Sequence, residues 1–159
     1  MKTHLILSAE DNEDDNILLQ HAFRKIGSGV KLEFVNDGQA AIDYLQNLSG
    51  AQQPGEPSLL PDILLLDLKM PRKDGFAVLD WIRGQSFLRD MPVVVFTSSQ
   101  DKEDIRRAYE KGAVSFLVKP VDLEGLVGLA GDLSAWVIGG DREPVAASPC
   151  YRAPIYQAY

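Results

Sequence analysis

The 159-residue chain has one cysteine and two histidines. A single thiol, Cys150, cannot close an intramolecular disulfide, so nothing points to an oxidising compartment. His21 falls on or beside the apolar face of a helix and has no second ligand at metal spacing, which makes it a structural residue. Basic residues are also scarce: 16 Lys and Arg stand against 23 Asp and Glu, a net charge of -7. That balance argues against nucleic acid as a direct partner and against an anionic membrane surface. Long apolar runs are missing too. Met1-Lys2-Thr3-His4 leads straight into a short strand-like run, and no stretch reaches signal-peptide or transmembrane length. A cytoplasmic address follows by default. The apolar share of 45% and charged share of 25% are those of an ordinary globular protein, and the length suits one domain with a proper core.

What is present is organised around Asp67, which ends the run Ile63-Leu64-Leu65-Leu66 and precedes Leu68-Lys69-Met70-Pro71. Such a short apolar run, closed by a turn signal, fits a strand buried on both faces. Met70-Pro71 and then Lys73-Asp74-Gly75 tell the chain to turn at once. Asp67 is therefore expected at the C-terminal rim of a sheet, where open α/β folds keep their sites.

In chain order, a strand at 5–8 ends in the acidic run Glu10-Asp11-Asn12-Glu13-Asp14-Asp15. A helix over about 15–26 follows, with Ile17, Leu18, His21, Ala22 and Ile26 near helical spacing and Gly27-Ser28-Gly29 as its stop. Residues 30–35 alternate apolar and charged, as an edge strand does. Ala40, Ala41, Tyr44, Leu45 and Leu48 mark a second helix, and the proline-bearing stretch 49–61 reads as a long loop. After the Asp67 strand come a helix on Phe76, Leu79 and Ile82, a strand at 93–96 ending in Thr97-Ser98-Ser99, and a helix over about 102–111. The strand 115–118 ends in Lys119-Pro120, and a last helix spans about 123–137. Five β-α units imply a flavodoxin-like α/β fold: a doubly wound five-stranded parallel sheet, order 2-1-3-4-5, with five helices.

That order sets Glu10 and Asp11 beside Asp67, with Thr97 and Lys119 arriving from the other side. Three carboxylates crowded together repel one another unless one takes a proton or a cation intervenes. Mg²⁺ suits carboxylates, water and a phosphoryl group. Asp is a nucleophile toward phosphoryl groups, and a Lys ammonium neutralises charge on the oxygens in transfer. The roles that follow are Asp67 as phosphoacceptor, Asp11 and Asp67 as Mg²⁺ ligands, and Glu10 acting through a bound water. Lys119 pairs with the phosphoryl, and Thr97 hydrogen-bonds it once it arrives.

Glu10-Asp11, Asp67 with Met70-Pro71 and Asp74-Gly75, Thr97-Ser98 and Lys119-Pro120 together resemble the receiver domain of a two-component response regulator, over about residues 4–137. The resemblance implies phosphoryl transfer from a sensor histidine kinase to Asp67, Mg²⁺ dependence and slow self-catalysed hydrolysis. The backbone carbonyl of Lys69 would complete the metal shell, and the Lys119-Pro120 bond would be cis. Phe116 would be the switch aromatic, following Thr97 inward and changing the surface formed by helix four, strand five and helix five. The plainer reading of Phe116 is core packing.

The long 49–61 loop, the Glu-Asp-Asn opening and Lys-Pro-Val-Asp resemble the small regulators paired with phytochrome-type kinases, which implies a bacteriophytochrome as kinase and a homodimer through the helix four–strand five–helix five face. The expected organisation is a receiver domain at 1–138 and a tail at 139–159, with no output domain. The signal would leave by contact with a downstream protein partner or phosphotransfer protein. Trp136, Val137 and Ile138 finish the core on the plainer reading. The tail combines Pro144, Pro149 and Pro154 with Tyr151, Ile155, Tyr156 and Tyr159, and the readings are a frayed end or a segment docked on a partner. Glu10 stands where many receivers have Asp, and Lys69 borders the expected path of hydrolytic water, so the phosphoryl lifetime stays open. The alternative is a phosphorylation-independent protein-binding module on the same fold. A dehalogenase-like phosphatase fits less well, because Lys69 occupies the position of its second Asp.

Overall fold

The computed structural model describes residues 3–139. Its strands are β1 (Leu5–Ala9), β2 (Lys31–Val35), β3 (Ile63–Leu66), β4 (Val93–Thr97) and β5 (Ser115–Val118). Its helices are α1 (Glu13–Ile26), α2 (Gly38–Ala51), α3 (Gly75–Arg83), α4 (Lys102–Glu110) and α5 (Leu123–Gly139). The strands form one parallel sheet in the order β2-β1-β3-β4-β5, the order expected from the sequence. Ala9 pairs with Leu66 and Val95 with Phe116, so the strands finish at nearly the same level.

Successive strand residues point to opposite faces, and here both faces are covered. Leu7, Leu64, Leu66, Val93, Val95 and Phe116 pack beneath α2, α3 and α4. Ile6, Ile63, Leu65, Val94, Phe96 and Leu117 pack beneath α1 and α5. This is why the central strands are runs of apolar residues, whereas the edge strand β2 alternates and keeps Lys31 exposed. Trp136 and Val137 are buried and close the α1/α5 core, while Ile138 is half exposed.

The buried stripe of α1 differs from the expected one. It runs through Leu19, Ala22 and Phe23, while Ile17, Leu18 and His21 face outward. The cap sets the phase: the Asn12 side chain accepts from the Asp15 amide, so the helix begins at Glu13 rather than Asp15. Its other end is Gly27 in the left-handed region, φ 66°, with its N–H returning to the Phe23 carbonyl.

Helix α2 runs on to Ala51, shortening the loop expected at 49–61. No proline falls before Pro54, so Ser49, Gly50 and Ala51 continue the ladder. Gln52 then organises what remains, donating to the carbonyls of Glu56 and Pro57 and accepting from the Leu59 amide. No peptide bond among the described residues is cis, so Lys119-Pro120 is trans, the form an X-Pro bond favours by about 0.5–1 kcal/mol. The readings of residues 140–159, including the aromatic tail, lie outside the described residues.

Candidate functional site

The site is assembled at the C-terminal rim of the sheet. The Asp67 amide donates to the Ala9 carbonyl at 3.1 Å, and the Glu10 amide to the Val35 carbonyl at 3.0 Å, which locks the two acids side by side just past their strands. The Lys119 amide donates to the Thr97 carbonyl at 2.8 Å, fixing the second pair. Glu10, Asp67 and Thr97 are buried, and Asp11 is exposed.

Behind Asp67 the chain must turn within a few ångströms of itself. A Cβ on Gly75 would lie 2.4 Å from the Asp67 carbonyl oxygen, so only glycine lets α3 start this close. Asp74 caps α3 through the Ala77 amide at 2.9 Å. The outer part of this loop is clamped by Arg72, φ 63°, whose guanidinium holds Asp37 at 2.7 and 2.8 Å. Asp37 in turn caps α2, and that amide together with Arg72 holds its carboxyl below the usual range against the opposing effect of burial. The Asp67 loop is thus tied to the far edge of the sheet.

Lys119 sits at the centre of the acids. Its Nζ lies 2.8 Å from Asp15 Oδ2 and 3.2 Å from Asp67 Oδ2, and it also pairs with Glu10 Oε2. Glu10 Oε1 accepts from the Asn12 amide at 2.9 Å, and the Lys69 amide approaches Asp67 Oδ1 at 3.4 Å. Thr97 Oγ1 faces the Ser99 amide at 3.4 Å, and Ser99 Oγ bonds Asp104 on α4 at 2.7 Å. A cleft of about 650 Å³ opens over Asp11, Asp67, Lys69, Thr97, Ser98 and Lys119.

Burial drives the Glu10 carboxyl up to about 8, with the neighbouring Asp67 pushing the same way. Burial would raise Asp67 as well, but the hydrogen bond from Glu10, the Lys119 charge and the Thr97 hydroxyl together pull it below the usual carboxylate range. Burial disfavours the Lys119 ammonium, yet Asp15, Glu10 and Asp67 outweigh this and raise its pKa above the ordinary lysine value. Near neutral pH the cluster therefore holds an ionised Asp67, a protonated Glu10 and a firmly charged lysine.

One carboxylate oxygen from each of Glu10, Asp11 and Asp67 lies within 4.8 Å of the others. An all-oxygen set of this kind suits a hard divalent cation, as the sequence implies. Phe116 is fully buried in the core shared with Ile105 and Ala108 of α4. Every site residue expected from the sequence, Phe116 apart, thus lines or borders one cleft, with Phe116 behind it in the core. Asp15 was not among them. Asn12 as N-cap places Asp15 in the first turn of α1, close enough to the strand ends for its carboxylate to reach Lys119, and nothing in the run of acids singles it out.

Residues 6–130 match the response regulator receiver domain family. The chain is 37% identical to the probable methanogenesis regulatory protein FilR2 of Methanothrix harundinacea, over 88% of this chain and 87% of that protein. It is 35% identical to the response regulator Rcp1 of Synechocystis, over 77% of this chain and 80% of Rcp1. The Mn²⁺-bound form of Rcp1 superposes with a TM-score of 0.72 at 31% identity, over 89% of this chain and 99% of that one. The phosphorylated cyanobacterial phytochrome response regulator RcpA gives a TM-score of 0.76 at 28% identity, over 90% of this chain and 99% of that one.

Proposed function

Since the chain belongs to the response regulator receiver family, we propose that it accepts a phosphoryl group on Asp67 from the phosphohistidine of a sensor histidine kinase, of the phytochrome type that the likeness to RcpA favours. The observation that carries this is the meeting of an ionised, buried Asp67 with the Lys119 ammonium in an open cleft. An Asp67 carboxylate oxygen forms the bond to phosphorus as the donor's P–N bond breaks, and the electron pair leaves with the imidazole nitrogen. Lys119 pairs with a non-bridging phosphoryl oxygen, and the Thr97 hydroxyl donates to another.

Asp11, Asp67 and Glu10, with the backbone carbonyl of Lys69, would hold Mg²⁺, and the crowding of the three carboxylate oxygens supports the acidic part of that set. The ion would supply positive charge to the phosphoryl oxygens in transfer. Lys119 must loosen from Asp15 and Glu10 to reach the phosphoryl, so both acids hold it ready rather than merely neutralise it.

The signal leaves through packing. Thr97 drawn toward the phosphoryl moves the end of β4, and Ser99 carries that motion to Asp104 on α4. Phe116 follows into the space released, and the α4–β5–α5 face changes, the face on which a second copy or a downstream partner docks. Phosphotransfer from a phosphorylated histidine kinase tests this reading. Label on wild type that is acid-stable, base-labile and absent from Asp67→Asn supports it. Label that persists in Asp67→Asn contradicts it.

A further inference from the structure

The opposite end of the sheet carries a second large cleft, of about 560 Å³, far from the acids. It lies where β3 and β4 begin and α5 ends, and Leu60, Phe87, Met91, Pro92, Trp136 and Ile138 line it. Phe87 and Ile138 are exposed apolar side chains, an uncommon arrangement to leave in water. Two buried polar atoms border it without a hydrogen-bond partner among the described residues: Trp136 Nε1 and His4 Nδ1. His4 Nδ1 stands 3.6 Å from Asp62 Oδ2, too far for a hydrogen bond. Trp136 is itself nine-tenths buried, and its unpaired indole N–H is a costly group to leave there.

We infer that this cleft is the docking site for the chain's own segment 140–159, bound by the same molecule that carries it. Three features select that occupant. Helix α5 ends at Gly139, so the segment starts at the rim formed by Val137 and Ile138. The segment is apolar where it needs to be: Tyr151, Tyr156 and Tyr159 are three of the chain's five tyrosines, and Val145 and Ile155 accompany them. Its single charged side chain after Glu143 is Arg152, and the cleft is edged by Asp62 and Asp90.

Tethering favours binding within one molecule. A short linker gives the second partner a millimolar effective concentration, and the stretch from Gly139 to Cys150 reaches about 40 Å at most, enough to cross this end of the domain. Pro144, Pro149 and Pro154 lower the entropy lost on docking an extended segment. The docked segment covers Phe87 and Trp136 and leaves the acidic rim open. Unlike the phosphoryl chemistry, it is independent of Asp67.

Cys150 is the chain's one cysteine and lies inside the segment, so a nitroxide can be placed there without any substitution. In the full-length ¹⁵N-labelled protein, the Trp136 indole and the Phe87 and Met91 amides are expected to be broadened, and the Thr97 and Lys119 amides untouched. Broadening no greater at Phe87 than at Thr97 overturns the proposal. So does broadening that survives when nitroxide-bearing ¹⁴N protein is mixed with unlabelled ¹⁵N protein, because that places the segment on a second copy. A label-free check uses full-length Trp81→Phe, in which Trp136 is the sole tryptophan. Changing Tyr151, Tyr156 and Tyr159 to Ser should raise acrylamide quenching of Trp136 as the segment leaves the cleft. Unchanged quenching in a protein with intact circular dichroism also overturns it.

Discussion

The two ends of one sheet have been put to opposite uses. At the C-terminal rim four acids are crowded around one lysine in a cleft, and the Lys119 ammonium offsets only part of their charge. At the N-terminal end the cleft is lined by Phe87, Met91, Trp136 and their apolar neighbours. The same strands serve both. A parallel sheet gathers every strand's C-terminal residue at one rim, and what stands there, Asp67, Thr97 or Lys119, is free of the packing rules that govern the residue before it. Leu66 and Asp67 are adjacent, yet one is core and the other is chemistry.

The comparison sharpens at that pair. Asp67→Asn should abolish phosphoryl uptake completely while leaving the protein folded and the far cleft in place, as mass spectrometry and the Cys150 nitroxide pattern would show. Leu66→Ala, at a fully buried position under α2 and α3, should cost about 2–5 kcal/mol in urea unfolding. A loss under 1 kcal/mol would mean that the sheet centre is less tightly packed than described.

A cation should affect the rim alone. Mg²⁺ at ten times its dissociation constant should stabilise the protein by about 1.4 kcal/mol, and the gain should vanish in Asp11→Asn. Equal stabilisation of that variant would remove Asp11 from the metal set.

The pH dependence of the metal-free protein is a smaller effect. Folded Glu10 keeps its proton up to about 8, whereas the unfolded chain releases it near 4.5. A raised folded value means that this proton's contribution is whole below 4.5 and is lost as pH rises toward about 8. Asp67 is shifted the other way, so its contribution is present above the ordinary 3.8 and fades only as pH falls below it; the two windows do not overlap. Denaturant titrations from pH 5 to 8 in chelator should therefore show declining stability in wild type and a flatter profile in Glu10→Gln. The smallest change is expected for Asp15→Asn, a partly exposed partner of Lys119, at about 0.5–1 kcal/mol without metal. A loss of several kcal/mol there would make Asp15 the main anchor of the lysine.

Much of this was legible in the sequence, for identifiable reasons. Ile63–Leu66 reads as a central strand because both of its faces are buried, and a lone acid at its end is chemically conspicuous. The parallel pairing followed from the β-α alternation, and the strand order from the one that small five-stranded doubly wound sheets commonly adopt. Helix α1 was misphased because Ile17 and Leu18 are apolar yet point outward, and periodicity alone did not weigh the Asn12 cap that sets the start. Asp15 was hidden in a run of acids in which helix capping explains every member equally well. The Arg72–Asp37 clamp joins residues far apart in the chain through a left-handed backbone that arginine seldom adopts, and no local pattern announces it.

The account rests on Asp67 as the phosphoacceptor, and the most direct measurement is intact mass after incubation with acetyl phosphate, for wild type and Asp67→Asn, with and without Mg²⁺. One added phosphoryl group on wild type, dependent on Mg²⁺ and absent from Asp67→Asn, is the predicted result. No uptake by folded wild-type protein under any condition would contradict it, and would leave a protein-binding module that keeps the receiver fold without its chemistry.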